Sequence, residues 1–143
     1  MDCGPTCLRM VAKFYGKSFS LDRIRKCSYL TKEGASLMGL SHAAESLGFK
    51  TRGARIQIDT LEFKTPLPCI IPWNNNHFVV LYKIKKGRFF IADPNDRKKS
   101  LTKGDLQQNW SGDKKDGVVL LFEPTPRFYK IEQDCKLPLI RTV

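Results

Sequence analysis

The run DCGPTCLRMVAKFYG, residues 2–16, places a cysteine where a helix should begin. Pro5 suits the first turn, because its fixed φ is helical and the N–H it lacks would have no internal partner there, and Gly16 suits the stop. Between them Cys3, Cys7, Val11 and Phe14 recur at spacings of four, four and three, which is one stripe of a helix. Cys3 thus stands at the helix mouth, where unpaired backbone N–H groups and the positive end of the helix dipole favour a thiolate. Gly4 beside it lets another backbone come close. Cys3 is a candidate nucleophile. Cys7, one turn on, reads as a small buried residue on the inner face, with a redox pair as the second reading.

Further along, the helical period continues to Gly48 and then changes. Ser20 caps a short second helix through LDRIRK, and Leu37, Leu40, Ala44 and Leu47 form the apolar stripe of a third that Gly48 ends. FKTRGARI, PCIIPW, HFVVLYKI, GRFFIAD and GVVLLFEP are short runs rich in β-branched and aromatic residues, with KKG as a hairpin connection between the third and fourth. Thr102 with Asp105 three residues later is a capping box ahead of a helix in LQQNW. Helices first, then a mostly antiparallel sheet built by consecutive hairpins, describes an α+β fold of two layers. A boundary is expected at PTPRF, residues 124–128, giving a domain over 1–126 and a linker or extension over 127–143.

The composition narrows the function classes. With 143 residues, 41% hydrophobic and 27% charged, the chain is one domain that buries roughly two thirds of its unfolded surface, so it needs no metal or disulfide to fold. No apolar run approaches the ~20 residues needed to cross a bilayer. Five cysteines (Cys3, Cys7, Cys27, Cys69, Cys135) are an odd count that argues for reduced thiols and a cytoplasmic setting. No CxxC pair occurs, and neither histidine stands at finger spacing from two cysteines, so no metal site is expected. The net charge of +11 suits an acidic partner. Its basic residues are scattered, and no nucleic-acid-binding pattern accompanies them. Nucleic-acid binding would rest on charge alone and would show a steep salt dependence.

A thiolate needs a base, and the base needs an orienting partner. His42 falls within the third helix. His77 follows the polar turn NNN and opens a strand, while Asp93 closes the next strand at IADPN. Two strands joined by a hairpin put their outer ends side by side, so His77 and Asp93 are expected to be hydrogen-bonding neighbours.

The order Cys, His, Asp, carried on DCGPTCLRMVAKFYG, EGASLMGLSHAAESLGF, NHFVVLYKI, FFIADP and a W-x-G ahead of GVVLLFEP, resembles the C39 peptidase family over about residues 1–124. These are papain-like domains at the N-terminus of bacterial peptidase-containing ABC transporters. The resemblance implies a papain-like cysteine protease fold, with N-terminal helices packed on the sheet. It also implies an endopeptidase that removes leader peptides from bacteriocins or other secreted peptides after a double-glycine-type motif, coupled to export. Carried over by position, Cys3 is the nucleophile, His77 the general base and acid, and Asp93 the residue that orients His77.

The resemblance further assigns the backbone N–H of Cys3 to the oxyanion. The glutamine that the family places six residues before the nucleophile falls upstream of Met1, which is expected to be an internal residue of a longer natural sequence. Implied partners are the leader-bearing precursor and the transmembrane and nucleotide-binding domains of a transporter, with the peptidase on the cytosolic face of the inner membrane. No cofactor is implied. A double-glycine motif calls for a channel too narrow for side chains, and an amphipathic leader helix supplies affinity in a groove. Met38, Trp73, Asn76 and Trp110 are the candidate lining residues, with packing as the alternative for Trp110 and turn-shaping for Asn76. The competing function is a docking module that grips leader peptides and gates export without cutting them.

Overall fold

The computed structural model describes residues 3–27, 30–31, 34–74, 77–95 and 97–132. Helix α1 (Cys3–Phe14) starts at the cysteine, and Gly16 turns the chain away with φ +96°. Ser20 receives the Arg23 N–H at 3.1 Å and starts α2 (Leu21–Cys27). A minimal hairpin, β1 (Leu30–Thr31) with β2 (Gly34–Ala35), leads to α3 (Leu37–Ser46), capped by the Ser36 hydroxyl, which accepts from Gly39 N–H.

The remaining strands form one antiparallel sheet. β3 (Phe49–Gln57) is followed by helix α4 (Ile58–Lys64), then β4 (Cys69–Trp73), β5 (His77–Lys85), β6 (Arg88–Ala92) and β7 (Lys98–Thr102). Helix α5 (Lys103–Trp110), β8 (Asp116–Pro124) and helix α6 (Pro126–Lys130) complete the described chain. Strands β4 to β6 run as the expected consecutive hairpins, β7 extends them as a strand that the sequence reading did not name, and Lys86 and Gly87, both at positive φ, make the β5–β6 turn. The order β3-β8-β4-β5-β6-β7 departs from consecutive hairpins at one place, because β8 returns to lie between β3 and β4.

The expected two layers become three. Along the central strands alternate residues face opposite cores: Ile70, Val80, Ala92, Leu120 and Phe122 point toward α1 and α3, whereas Ile71, Val79, Leu81, Ile91 and Val119 point toward α4 and α5. Strands buried on both faces read as continuous apolar runs, which hides the second face from a periodicity argument. Helix α4 buries only Leu61 and has no side-chain cap, so its amphipathic signal is weak. The lysine-rich strand β7 forms a sheet edge, where lysines discourage pairing with another chain.

The boundary expected at residue 126 falls inside the packed body. Phe128 of α6 is fully buried, its ring 4.4 Å from that of Phe49 and 6.3 Å from that of Phe19. Gly48, at φ +99°, must be glycine here: a Cβ would lie 2.4 Å from the Phe128 backbone. Arg127 donates to the Glu45 and Ser46 carbonyls at the end of α3 (2.8 and 3.1 Å), Lys17 donates to the Ile131 carbonyl, and Arg23 donates to that of Glu132 (2.7 Å). Residues 133–143, including Cys135, lie outside the described residues. Phe128→Ala is therefore expected to destabilise the domain by about 3–5 kcal/mol in urea unfolding, as for a core aromatic; a loss under about 1 kcal/mol would make α6 an appendage.

Candidate active site

The N-terminal end of α1 meets the sheet at the start of β5. Leu8, Val11 and Ala12 bury one face of the helix against the strands. Cys7 donates its thiol hydrogen to the Phe78 carbonyl at 3.3 Å, one residue past His77. Cys3 lies one turn before Cys7 and is 6% exposed. Burial pushes the Cys7 thiol pKa well up, and the nearby Cys3 and Asp93 charges push it further. Cys7 thus stays protonated.

His77 Nε2 and Asp93 Oδ1 are 2.7 Å apart, with side-chain exposures of 16% and 9%. The pair forms because β5 and β6 are joined by a hairpin whose register sets Val80 opposite Ala92, so that the start of one strand faces the end of the next. Asp93 Oδ1 also accepts the Asn95 N–H at 2.9 Å, which fixes the carboxylate before His77 uses it. A carboxylate accepts, so Nε2 is the donor in this pair, which leaves Nδ1 as the ring nitrogen for a second partner. A thiol at a helix mouth, an imidazole and a buried carboxylate in this order can carry out nucleophilic catalysis.

The other residues named from sequence are placed differently. Trp73 is 6% exposed and belongs to the core beneath α5, paired across the hairpin with His77. Trp110 is 8% exposed; its indole N–H donates to the Val118 carbonyl at 2.8 Å, and its ring lies over Gly117, where a Cβ would come within 2.4 Å. That is the packing-anchor role, although its edge still reaches a cleft. Met38 is 81% exposed on the first turn of α3 and lines neither cleft described below. Asn76 lies outside the described residues. His42 is exposed on α3. Among the described residues no group of three or more His, Cys, Asp or Glu is gathered to hold a metal ion, and no helix is long and apolar enough to cross a membrane.

Two clefts flank β5, and sequence reasoning missed most of their lining. On the β6 side a groove of about 580 Å³ runs from Asp93 between α1 and the sheet, with Met10, Phe14, Val80 and Tyr82 as apolar lining and Lys13 and Lys98 among its basic residues. Its one visible signal was Phe14, an aromatic at the helix end that is 57% exposed. On the β4 side a polar cleft of about 510 Å³ includes Arg55, Pro72, Asn74, Gln108 and Trp110.

Comparison with known proteins gives a consistent picture. The peptidase C39 family profile matches residues 1–127. A probable microcin-H47 secretion/processing ATP-binding protein from Escherichia coli is 33% identical over 138 residues, covering 96% of this chain and 19% of that protein. The lactococcin-G-processing and transport ATP-binding protein of Lactococcus lactis subsp. lactis is 33% identical over 134 residues, covering 90% and 18%. The chain thus spans less than a fifth of the length of these relatives. Among solved structures, a double glycine motif protease from an AMS/PCAT transporter, in complex with the leader peptide, is similar at TM-score 0.79 and 30% identity, covering 87% of this chain and 85% of that one. The peptidase domain of Streptococcus ComA, a bifunctional ABC transporter of a quorum-sensing pathway, is similar at TM-score 0.76 and 29% identity, covering 87% and 92%.

The buried thiols set an alkaline limit on stability. Burial also raises the Cys69 pKa, so Cys7 and Cys69 hold protons in the folded state that the unfolded chain releases above about pH 8.5. Their contribution is complete below that pH and is lost as pH rises, at about 1.4 kcal/mol per pH unit for each thiol. Urea unfolding from about pH 8 to about pH 10 should show this decline, and Cys69→Ala should flatten it by one thiol's share. An unchanged slope in the variant would contradict the assignment.

Proposed function

Because this chain belongs to the peptidase C39 family, we propose that it is the cysteine endopeptidase domain that removes leader peptides from precursors, cutting after a double-glycine-type motif before export. The observation that carries this reading is the 2.7 Å His77–Asp93 pair standing at the strand end beside the N-terminus of α1. In this mechanism the Cys3 thiol passes its proton to His77 Nδ1, and the thiolate sulfur bonds to the scissile carbonyl carbon. The oxyanion that forms accepts from the backbone N–H of Cys3 at the helix mouth. On collapse the C–N bond breaks and His77 protonates the leaving amine, leaving a thioester on Cys3. Water, deprotonated by His77, then attacks the thioester and releases the leader carboxylate and the sulfur. Asp93 holds the imidazole orientation throughout and stabilises the imidazolium.

The groove beside Asp93 fits the leader. An amphipathic helix would lay its apolar side on Met10, Phe14, Val80 and Tyr82, and acidic side chains on its rim would meet Lys13 and Lys98, the latter stacked at 5.3 Å over the Tyr82 ring. By family membership the partners are the transmembrane and nucleotide-binding domains of an exporter, with the peptidase on the cytosolic face of the inner membrane. The domain proper ends after α6, with the connection to the exporter beyond it.

Synthetic precursors whose leaders end in Gly-Gly test the reading. Cys3→Ala should bind without cleaving, and His77→Ala should lose about 100-fold to 10,000-fold in kcat. Asp93→Asn should lose less than His77→Ala, because packing and the Asn95 turn still position the ring. Cleavage that survives Cys3→Ala would move the nucleophile elsewhere. The groove is tested separately: Lys13→Glu with Lys98→Glu should raise KM about tenfold for an acidic leader and leave kcat unchanged. Unchanged KM would place the leader on another surface.

A further inference from the structure

Cys7 is a buried thiol that the mechanism leaves unused. It stands one turn after Cys3 on α1, is fully buried, and gives its thiol hydrogen to the Phe78 carbonyl at 3.3 Å, joining residues 71 positions apart. Residues four apart on a helix lie one above the other on the same face, so the turn that makes this bond is the turn that follows the nucleophile. On the strand side, the acceptor belongs to the residue after His77. Burial, helped by the charges of Cys3 and Asp93, keeps the thiol protonated, which is the form that donates.

The sheet itself explains why this carbonyl takes a donor from the helix. In an antiparallel ladder a carbonyl accepts from the residue directly opposite. Opposite Phe78 on β4 stands Pro72, which has no N–H to give. On the other side the β5–β6 register begins only at Val80, opposite Ala92, so among the described residues none of β6 stands opposite Phe78. A backbone carbonyl left without a donor away from water is costly. The Cys7 thiol is the donor that neither neighbouring strand supplies. It is small enough for a seat among Leu8, Val11 and Val80, where a longer polar side chain would not fit the packed core.

We propose that Cys7 is a positioning residue for the peptidase reaction: its thiol ties the start of β5, and with it His77, to the helix that begins at Cys3. The inference rests on the peptidase reading and deepens it. The path from nucleophile to base is then one helical turn, one S–H···O bond and one peptide unit. The apolar contacts of Leu8 and Val11 hold the helix on the sheet but tolerate small slides along it, whereas a bond to a single carbonyl does not. A misplacement of about 1 Å at the reacting atoms costs on the order of 100-fold in rate.

The test compares Cys7→Ala, which removes the donor, with Cys7→Ser, which restores one. Cys69→Ala makes the same substitution at a fully buried thiol of the opposite core and controls for lost packing. Cys7→Val removes the donor while keeping the volume, and serves if the alanine variant does not fold. With a synthetic precursor whose leader ends in Gly-Gly, Cys7→Ala should lose about tenfold to 100-fold in kcat with KM unchanged. Cys7→Ser should recover to within about threefold, and Cys69→Ala should keep the wild-type kcat. Alkylation of Cys3 by iodoacetamide at neutral pH, followed at that residue by mass spectrometry, should slow by a similar factor in Cys7→Ala, because the thiol loses its aligned imidazole. A wild-type kcat in Cys7→Ala, or a loss that Cys7→Ser does not recover or that Cys69→Ala shares, overturns the inference while the peptidase reading stands. Failure of wild type to cleave any precursor removes both.

Discussion

The seating of α1 on strand β5 is the constraint from which the rest of the molecule follows. The Cys7 thiol on the Phe78 carbonyl, 3.3 Å away, is a weak bond and could not hold two elements together alone. The energy comes from Leu8 and Val11, fully buried beside it, at about 1.5–3 kcal/mol for each side chain. What the thiol adds is register. It fixes which turn of the helix stands against which residue of the strand, setting the turn that carries Cys7 against Phe78, the residue after His77.

Burial of a carboxylate is costly, and the molecule accepts that cost in one place. Among the described residues Asp93 is the only charged or polar side chain that is buried. An unpaired ion there would cost several kcal/mol. Two donors, His77 Nε2 and the Asn95 N–H, offset the loss of water, and both come from the segments that its own strand and the preceding hairpin deliver. An apolar residue of similar volume would cost less in the core, so the buried carboxylate is not explained by stability alone.

The net +11 is spread over the surface, with lysines along the edge strand β7 and basic residues beside both clefts. A surface of one dominant sign raises the encounter rate with partners of opposite charge. Lys98 and Lys83 lie over the Tyr82 and Phe90 rings, so part of the positive charge is held against aromatic faces instead of extending freely into water.

The helices at Cys3, Leu21, Leu37 and Lys103 were legible in the chain because each begins at a proline or hydroxyl cap and three of them follow a clear apolar stripe or stop at glycine. Strands β3 to β6 and β8 were legible from their β-branched and aromatic runs, whereas β1, β2 and the lysine-rich β7 carry no such run. The His77–Asp93 pair followed from hairpin topology alone, since neighbouring strand ends must meet. Tertiary structure decided what periodicity cannot carry. Strands covered on both faces lose their alternation, so the layer under α4 and α5 was hidden, and a five-residue helix such as α6 has too short a period to announce itself. Trp73 and Trp110 were candidate lining residues, with packing as the alternative for Trp110, and the packing against Gly117 and beneath α5 shows where their rings go. The two clefts are assembled from residues as far apart as Met10 and Lys98, and no local pattern records which distant side chains a sheet will bring to the same edge.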